Sequence, residues 1–139
     1  MRVIYHITSV WEAGAAARSG IFTPHAFAAD GFIHCSYPRQ VQAVANRRFA
    51  GRADLVLLEI ECARLTCRVV DENLEGGTDL FPHIYGSLPM SAVVRVHEFP
   101  CGPTGRFDLP PHGHMTLHSP VSQSAVSSLP SVRPGTGDW

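Results

Sequence analysis

The hydrophobic pattern changes period several times along the chain. Residues 2–8 alternate branched and aromatic side chains, the period-2 signature of a strand. Ser9 follows, with Glu12 three residues on. That pair is a capping box, in which the hydroxyl takes an orphan amide and the carboxylate reaches back. It predicts a helix of about two to three turns, with Trp11 and Ala15 on its apolar side and Gly20 at a left-handed C-cap. Pro24 excludes a regular helix from the irregular residues 21–29. Asp30-Gly31 is a turn signal, and residues 32–35 read as a second strand. Ser36 would cap the next helix, with Pro38 in its first turn. There Val41, Val44, Ala45 and Phe49 share one face at helical spacing, and Gly51 ends it.

Residues 55–60 are nearly all apolar, as in a central strand buried on both faces. Residues 67–70 read as a short strand. Residues 71–80, acidic and containing Gly76-Gly77, read as an exposed loop. Residues 81–86 and 91–99 read as extended segments. About five strands with only two short helices argue for an α+β fold with antiparallel pairing. After Pro100 the composition shifts to Gly, Pro and Ser. Such a segment buries too little apolar surface to offset its chain entropy. The expected organisation is one globular domain over residues 1–101 and a flexible C-terminal tail over residues 102–139, the folded part being large enough for one core.

Composition narrows the function classes. The formal net charge is -1, so bulk electrostatics point to neither nucleic acid nor an anionic membrane. All 11 basic residues are arginine, which removes lysine nucleophiles and Schiff bases. Cys35, Cys62, Cys67 and Cys101 form no C-x-x-C pair, and no histidine spacing completes a zinc finger. Cys62 and Cys67 flank a turn-like segment that a disulfide could span. There is no N-terminal signal pattern and no apolar run near the roughly 20 residues of a membrane span. A soluble, reduced, cytoplasmic protein is expected. Neither a phosphate-binding glycine loop nor a G-x-S-x-G elbow occurs.

The candidate chemistry lies in three histidines that interrupt apolar extended segments: His6, His34 and His83. Period 2 puts Phe32, His34 and Ser36 on one face and Ile33 and Cys35 on the other, which makes Cys35 a buried small hydrophobe. His6 shares a face with Ile4 and Thr8. If the first two strands line one cleft, His6 and His34 meet there. Tyr85, two residues after His83, could stack on a planar ring or fill the core. Glu72 and Glu75 lie in the acidic loop; beside an imidazole cluster, Glu72 could stabilise a developing cation. Glu59 and Glu61 read as ion-pair or surface groups. Three imidazoles could also ligate zinc, although no ligand spacing supports it and no resident metal is expected. His112, His114 and His118 form a second tract that could take a metal adventitiously.

Several separated motifs recur together: Tyr5-His6-Ile7-Thr8, Trp11, residues 30–36, Gln40, Ala45-Asn46, residues 55–58 and residues 81–86. Over residues 1–99 this set resembles the bacterial family catalogued as domain of unknown function 952. More remotely it is similar to the ADP-ribosyltransferase fold, in its RNA 2′-phosphotransferase branch. That branch carries a histidine on the first core strand and a His-x-Ser element on the second; His6 and His34-Cys35-Ser36 match these places. The resemblance implies split antiparallel β-sheets enclosing an NAD cleft, with a small-molecule nucleotide as partner and the acceptor open. It implies that His6, Thr8, Phe32, Ser36 and Tyr85 bind the cofactor, and that His34, His83 and Glu72 carry catalysis. His83 is the first candidate for the polar residue on a later strand, and Glu72 the second. The alternative is a non-catalytic small-molecule or nucleotide-binding module on the same fold.

Overall fold

The computed structural model describes residues 2–74 and 76–108. Its elements are β1 (Val3–Ser9), α1 (Val10–Ser19), β2 (Ile21–Phe22), α2 (Phe27–Asp30), β3 (Ile33–His34), α3 (Val41–Arg48), β4 (Leu55–Glu61), β5 (Arg68–Glu72), β6 (Phe81–Tyr85), β7 (Leu88–Pro89) and β8 (Val93–Glu98). Single 3-10 turns precede α3, follow β4 and precede β8. The fold is α+β, with three antiparallel sheets: β1-β4-β8, β3-β6-β5 and the short pair β2-β7.

β4 takes the middle of the first sheet, as its apolar run requires. Strand alternation divides its neighbourhood into two cores. Ile4, Leu58 and Ile60 pack with Ala13, Ala16 and Ala17 of α1, and with Phe22, Ile33 and Ile84. Tyr5, Ile7, Leu55 and Leu57 pack with Val41, Val44 and Ala45 of α3, and with Phe49, Phe81 and Phe107. The two larger sheets meet at one rung. Tyr5 N–H donates to the Ser36 carbonyl and Ser36 N–H to the Tyr5 carbonyl, each at 2.8 Å. Beyond it β1 and β3 part, so the sheet is split.

Several expectations change. Ser9 does accept from Glu12 N–H at 3.1 Å, and Gly20 caps α1 at φ 86°. The Glu12 carboxylate, however, turns towards Thr8 and His25 instead of the Ser9 amide. Trp11 is exposed and alanines form the buried side of α1. A single helical turn, α2, occupies part of the stretch expected to be irregular. Gln40, not Ser36, precedes the first residue of α3. β5 extends to Glu72, so Asp71 and Glu72 belong to a strand and the loop starts at Asn73. A polar strand end of this kind resembles a loop by composition; its pairing with Phe81 and Pro82 decides the matter.

Packing also continues beyond residue 101, where the sequence places the domain end. Phe107 is 2% exposed. Its N–H donates to Asn46 Oδ1 at 2.7 Å, and its ring stacks on Phe99 at 4.8 Å between centroids. One aromatic anchor outweighs the polar composition around it. Most of the expected tail, with His112, His114 and His118, lies outside the described residues. Phe107→Ala should cost about 3–5 kcal/mol, the range for emptying a buried aromatic site. Chemical denaturation checks this; a change below 1 kcal/mol would place Phe107 outside the core.

Candidate functional site

The β3-β6-β5 sheet has a core face and an open face. Ile33 pairs with Ile84, and Ile84 with Val69, on the face towards α1. The opposite face carries His34 beside His83, Arg68 beside Tyr85 and Glu72 beside Phe81. Phe32 joins it from the turn after α2. Among the described residues, α3 covers this side of β1 and β4 and packs on Phe81, and the ring side chains farther along this face cover one another.

They do so as a ring cluster. Phe32 stacks on His83 with centroids 4.1 Å apart and planes 18° from parallel. His34 meets His83 at 5.1 Å and Phe32 at 4.6 Å, and Tyr85 meets Phe32 at 5.3 Å. The Arg68 guanidinium lies 5.1 Å from the Tyr85 centroid, a cation–π distance. Carboxylates fix the imidazoles. His34 Nε2 lies 3.0 Å from Asp30 Oδ2, and His83 Nδ1 lies 2.9 Å from Glu72 Oε2. The Tyr85 hydroxyl donates to the same Glu72 oxygen. Tyr85 first and His83 second hold the Glu72 carboxyl below its ordinary range, and the same bond raises the Tyr85 phenol. With its Nδ1 proton committed to Glu72, His83 presents Nε2 as an acceptor. That atom is buried without a hydrogen-bond partner, a condition that protein interiors rarely leave standing.

His6 is not on this face. Alternation puts it with Ile4 towards α1, where its ring meets Phe22 edge-on at 5.3 Å. It is 1% exposed, and its Nδ1 donates to the His34 backbone carbonyl at 2.5 Å. The ring thus fills the place where β1 and β3 separate. Burial first, and His34 nearby, push its pKa down to about 4, against the carbonyl bond that raises it. His6 and His34 are therefore coupled through the backbone and not through one open cleft. For the same reason His6, His34 and His83 do not converge as three metal ligands, and among the described residues no other such group is arranged to hold one.

The remaining expected residues separate in the same way. Thr8 Oγ1 donates to Glu12 Oε1 at 2.9 Å, while Glu12 Oε2 accepts from His25 N–H at 2.8 Å. This buried network ties β1 to the loop before α2, away from the ring cluster. Ser36 is 3% exposed and acts through its backbone rung with Tyr5. Cys35 is 1% exposed, and burial pushes its thiol well up, as suits a packing group. No disulfide joins Cys62 and Cys67; both are free thiols. Glu59 accepts from His97 at 2.8 Å with Arg95 at 4.0 Å, so it is an ion-pair group.

Asp30 and Arg68 were missed as site residues. Asp30 read only as a turn residue, although it stands four positions before His34. Arg68 lies inside the strand read over residues 67–70, but Glu72 lies past its expected end, so their shared face parity was not visible.

The arrangement can be set beside known proteins. A family model described as "Protein of unknown function (DUF952)" matches residues 7–96, more than half of the chain. The chain belongs to the DUF952 family. A crystal structure of protein CC0527 from Caulobacter crescentus is 37% identical to this DUF952 chain, with a TM-score of 0.72, covering 84% of this chain and 100% of that one. The solution NMR structure of the same protein is 37% identical at a TM-score of 0.71, covering 85% and 100%. No curated protein matches the chain. Among the described residues of this DUF952 domain, no helix is long and apolar enough to cross a membrane.

The buried His6 makes stability depend on pH. Its folded pKa lies below its ordinary 6.5, so the unfolded chain binds the extra proton. Stability is complete above about pH 6.5 and falls as pH drops towards about 4, by up to about 3 kcal/mol. His6→Gln, whose amide can still donate to the His34 carbonyl, should lose this slope between pH 6.5 and 4.5. Urea unfolding across that range measures it; an unchanged slope would remove His6 as its cause.

Proposed function

We propose that the DUF952 domain binds NAD or a related nucleotide on the open face of the β3-β6-β5 sheet, with ADP-ribosyl transfer as its reaction. The observation that carries this reading is the Phe32–His83–Tyr85 ring cluster beside the ionised Glu72 carboxylate. A planar heterocycle can replace the Phe32–His83 stack with a ring–ring contact of similar geometry. The buried acceptor at His83 Nε2 can then take an amide or hydroxyl proton from the ligand.

The chemistry follows from the charges. Cleaving a nicotinamide–ribose bond builds positive charge on the sugar, as in glycoside cleavage. The electron pair of the broken bond stays on the ring nitrogen, and nicotinamide leaves neutral. Glu72 is held ionised by Tyr85 and His83, so it can face the developing cation without first losing a proton. The acceptor attacks the sugar carbon and releases a proton; His34, oriented by Asp30, is the base within the cluster. His6 supports this by holding the His34 carbonyl from behind, as a positioning residue.

A second reading, a non-catalytic nucleotide-binding module, is favoured by one observation: His83 is 1% exposed beneath Phe32. The two readings differ in turnover. Isothermal titration with NAD should show saturable binding, weakened about tenfold by Tyr85→Ala, within the 1–3 kcal/mol assigned to one base–aromatic stack. Nicotinamide release with RNA or protein acceptors, abolished by Glu72→Gln, supports transfer. Binding without release selects the module. No heat of binding at millimolar NAD, with the fold verified by circular dichroism, refutes both.

A further inference from the structure

His83 has its two ring nitrogens in unlike settings. Nδ1 lies 2.9 Å from Glu72 Oε2. Nε2 is buried and has no hydrogen-bond partner among the described residues. An ionised carboxylate only accepts, so Nδ1 carries the proton, and in the neutral ring Nε2 is a bare acceptor. The other tautomer would set the Nδ1 lone pair against the carboxylate. Tyr85 steadies this arrangement, because its hydroxyl donates to the same Glu72 oxygen and favours the ionised form of the carboxyl.

The neighbours of His83 do not complete this nitrogen. His34 flanks it on β3 and Val70 on β5. His34 directs its own Nε2 to Asp30 at 3.0 Å. Val70 and the stacked Phe32 have no polar side-chain atom. Two carboxylates, Glu72 and Asp30, belong to the cluster, while the Arg68 guanidinium lies over Tyr85, in the next row of the same face. Phe32 covers the His83 ring from outside the ladder. It takes no part in the β3–β6 register, it follows Gly31 at φ 80°, and α2 before it has no buried residue. Its ring can turn aside without opening the sheet. A heterocycle lying against Phe32 or Tyr85 would then present an edge substituent to Nε2.

We propose that the Glu72–His83 pair makes this face selective for a heterocycle that carries a carboxamide over the same heterocycle carrying a carboxylate. An amide N–H donates to Nε2 and completes it. A carboxylate has no proton to give: it sets lone pairs against Nε2 and adds a third negative group beside Glu72 and Asp30. A site whose buried polar atom is left unpaired by the wrong ligand discriminates far more sharply than one that reads shape alone. Orienting a core histidine needs only the Nδ1 bond; it gives no reason for a buried Nε2 to stand unpaired. The selectivity rests on the function proposed above and specifies it: the nicotinamide end is recognised at His83, and the deamidated dinucleotide is rejected there.

The test uses the full chain and two measurements. Nitrogen-15 NMR of the imidazoles in the free protein should show His83 protonated on Nδ1 and bare on Nε2; a proton on Nε2 would overturn the proposal before any ligand is added. Calorimetric titration then compares NAD with nicotinic acid adenine dinucleotide, which differs only in carrying the acid in place of the amide. NAD should bind about ten- to a hundredfold more tightly. His83→Phe, which keeps a ring in the stack and removes the acceptor, should bring the two affinities together. Glu72→Gln, whose amide can donate to Nδ1 and so permits the Nε2-protonated tautomer, should narrow the ratio in a protein that keeps His83. A ratio that survives His83→Phe belongs to the carboxylate charges and overturns the role of Nε2. Equal affinities in the wild type overturn the selectivity and leave the nucleotide reading standing. Absence of binding by both dinucleotides overturns that reading and the selectivity with it.

Discussion

The parting of β1 from β3 is the constraint on which the open face depends. The strands share one rung, Tyr5 with Ser36. Past it the His34 carbonyl is met by the His6 imidazole. A continued ladder would bring β1 alongside His34 and Phe32. The split leaves Phe32 clear to fold over His83. The cost is a buried ring whose proton affinity is depressed by desolvation. His6 therefore links fold stability to the shape of the candidate site without entering it.

The same logic explains which polar groups are structural. Thr8, Glu12 and the His25 amide satisfy one another inside the α1 side, and Tyr37, Asp71 and Arg2 tie β1, the segment before α3 and β5 together. Each removes the penalty of an unpaired polar group. The ring cluster differs, because its imidazole pairs use one nitrogen each on a carboxylate and His83 keeps an unsatisfied acceptor. That unpartnered ring nitrogen is what separates a candidate site from a well-packed edge.

Much of this was legible in the sequence, and where it was not the reason is physical. Period 2 alone placed Phe32 and His34 together and turned Cys35 inward. The apolar run of residues 55–60 marked the central strand. Parity along one strand carries no information about how two strands pair, so it could not show that His6 and His34 face opposite sides. Composition failed at strand and domain ends: Asp71 and Glu72 looked like loop, and Phe107 was hidden among Gly, Pro and Arg. Both errors arise because one tertiary contact can outweigh local propensity. The Glu72–His83 pair, 11 residues apart, becomes visible only once β5 and β6 are in register.

The most direct measurement is a crystal structure of the protein soaked with NAD. Nucleotide bound at this face would place a heteroaromatic ring against Phe32 or Tyr85, with a polar ligand atom within hydrogen-bond distance of His83 Nε2. Density for the nucleotide on another surface, with the Phe32–His83 stack unchanged, would contradict it.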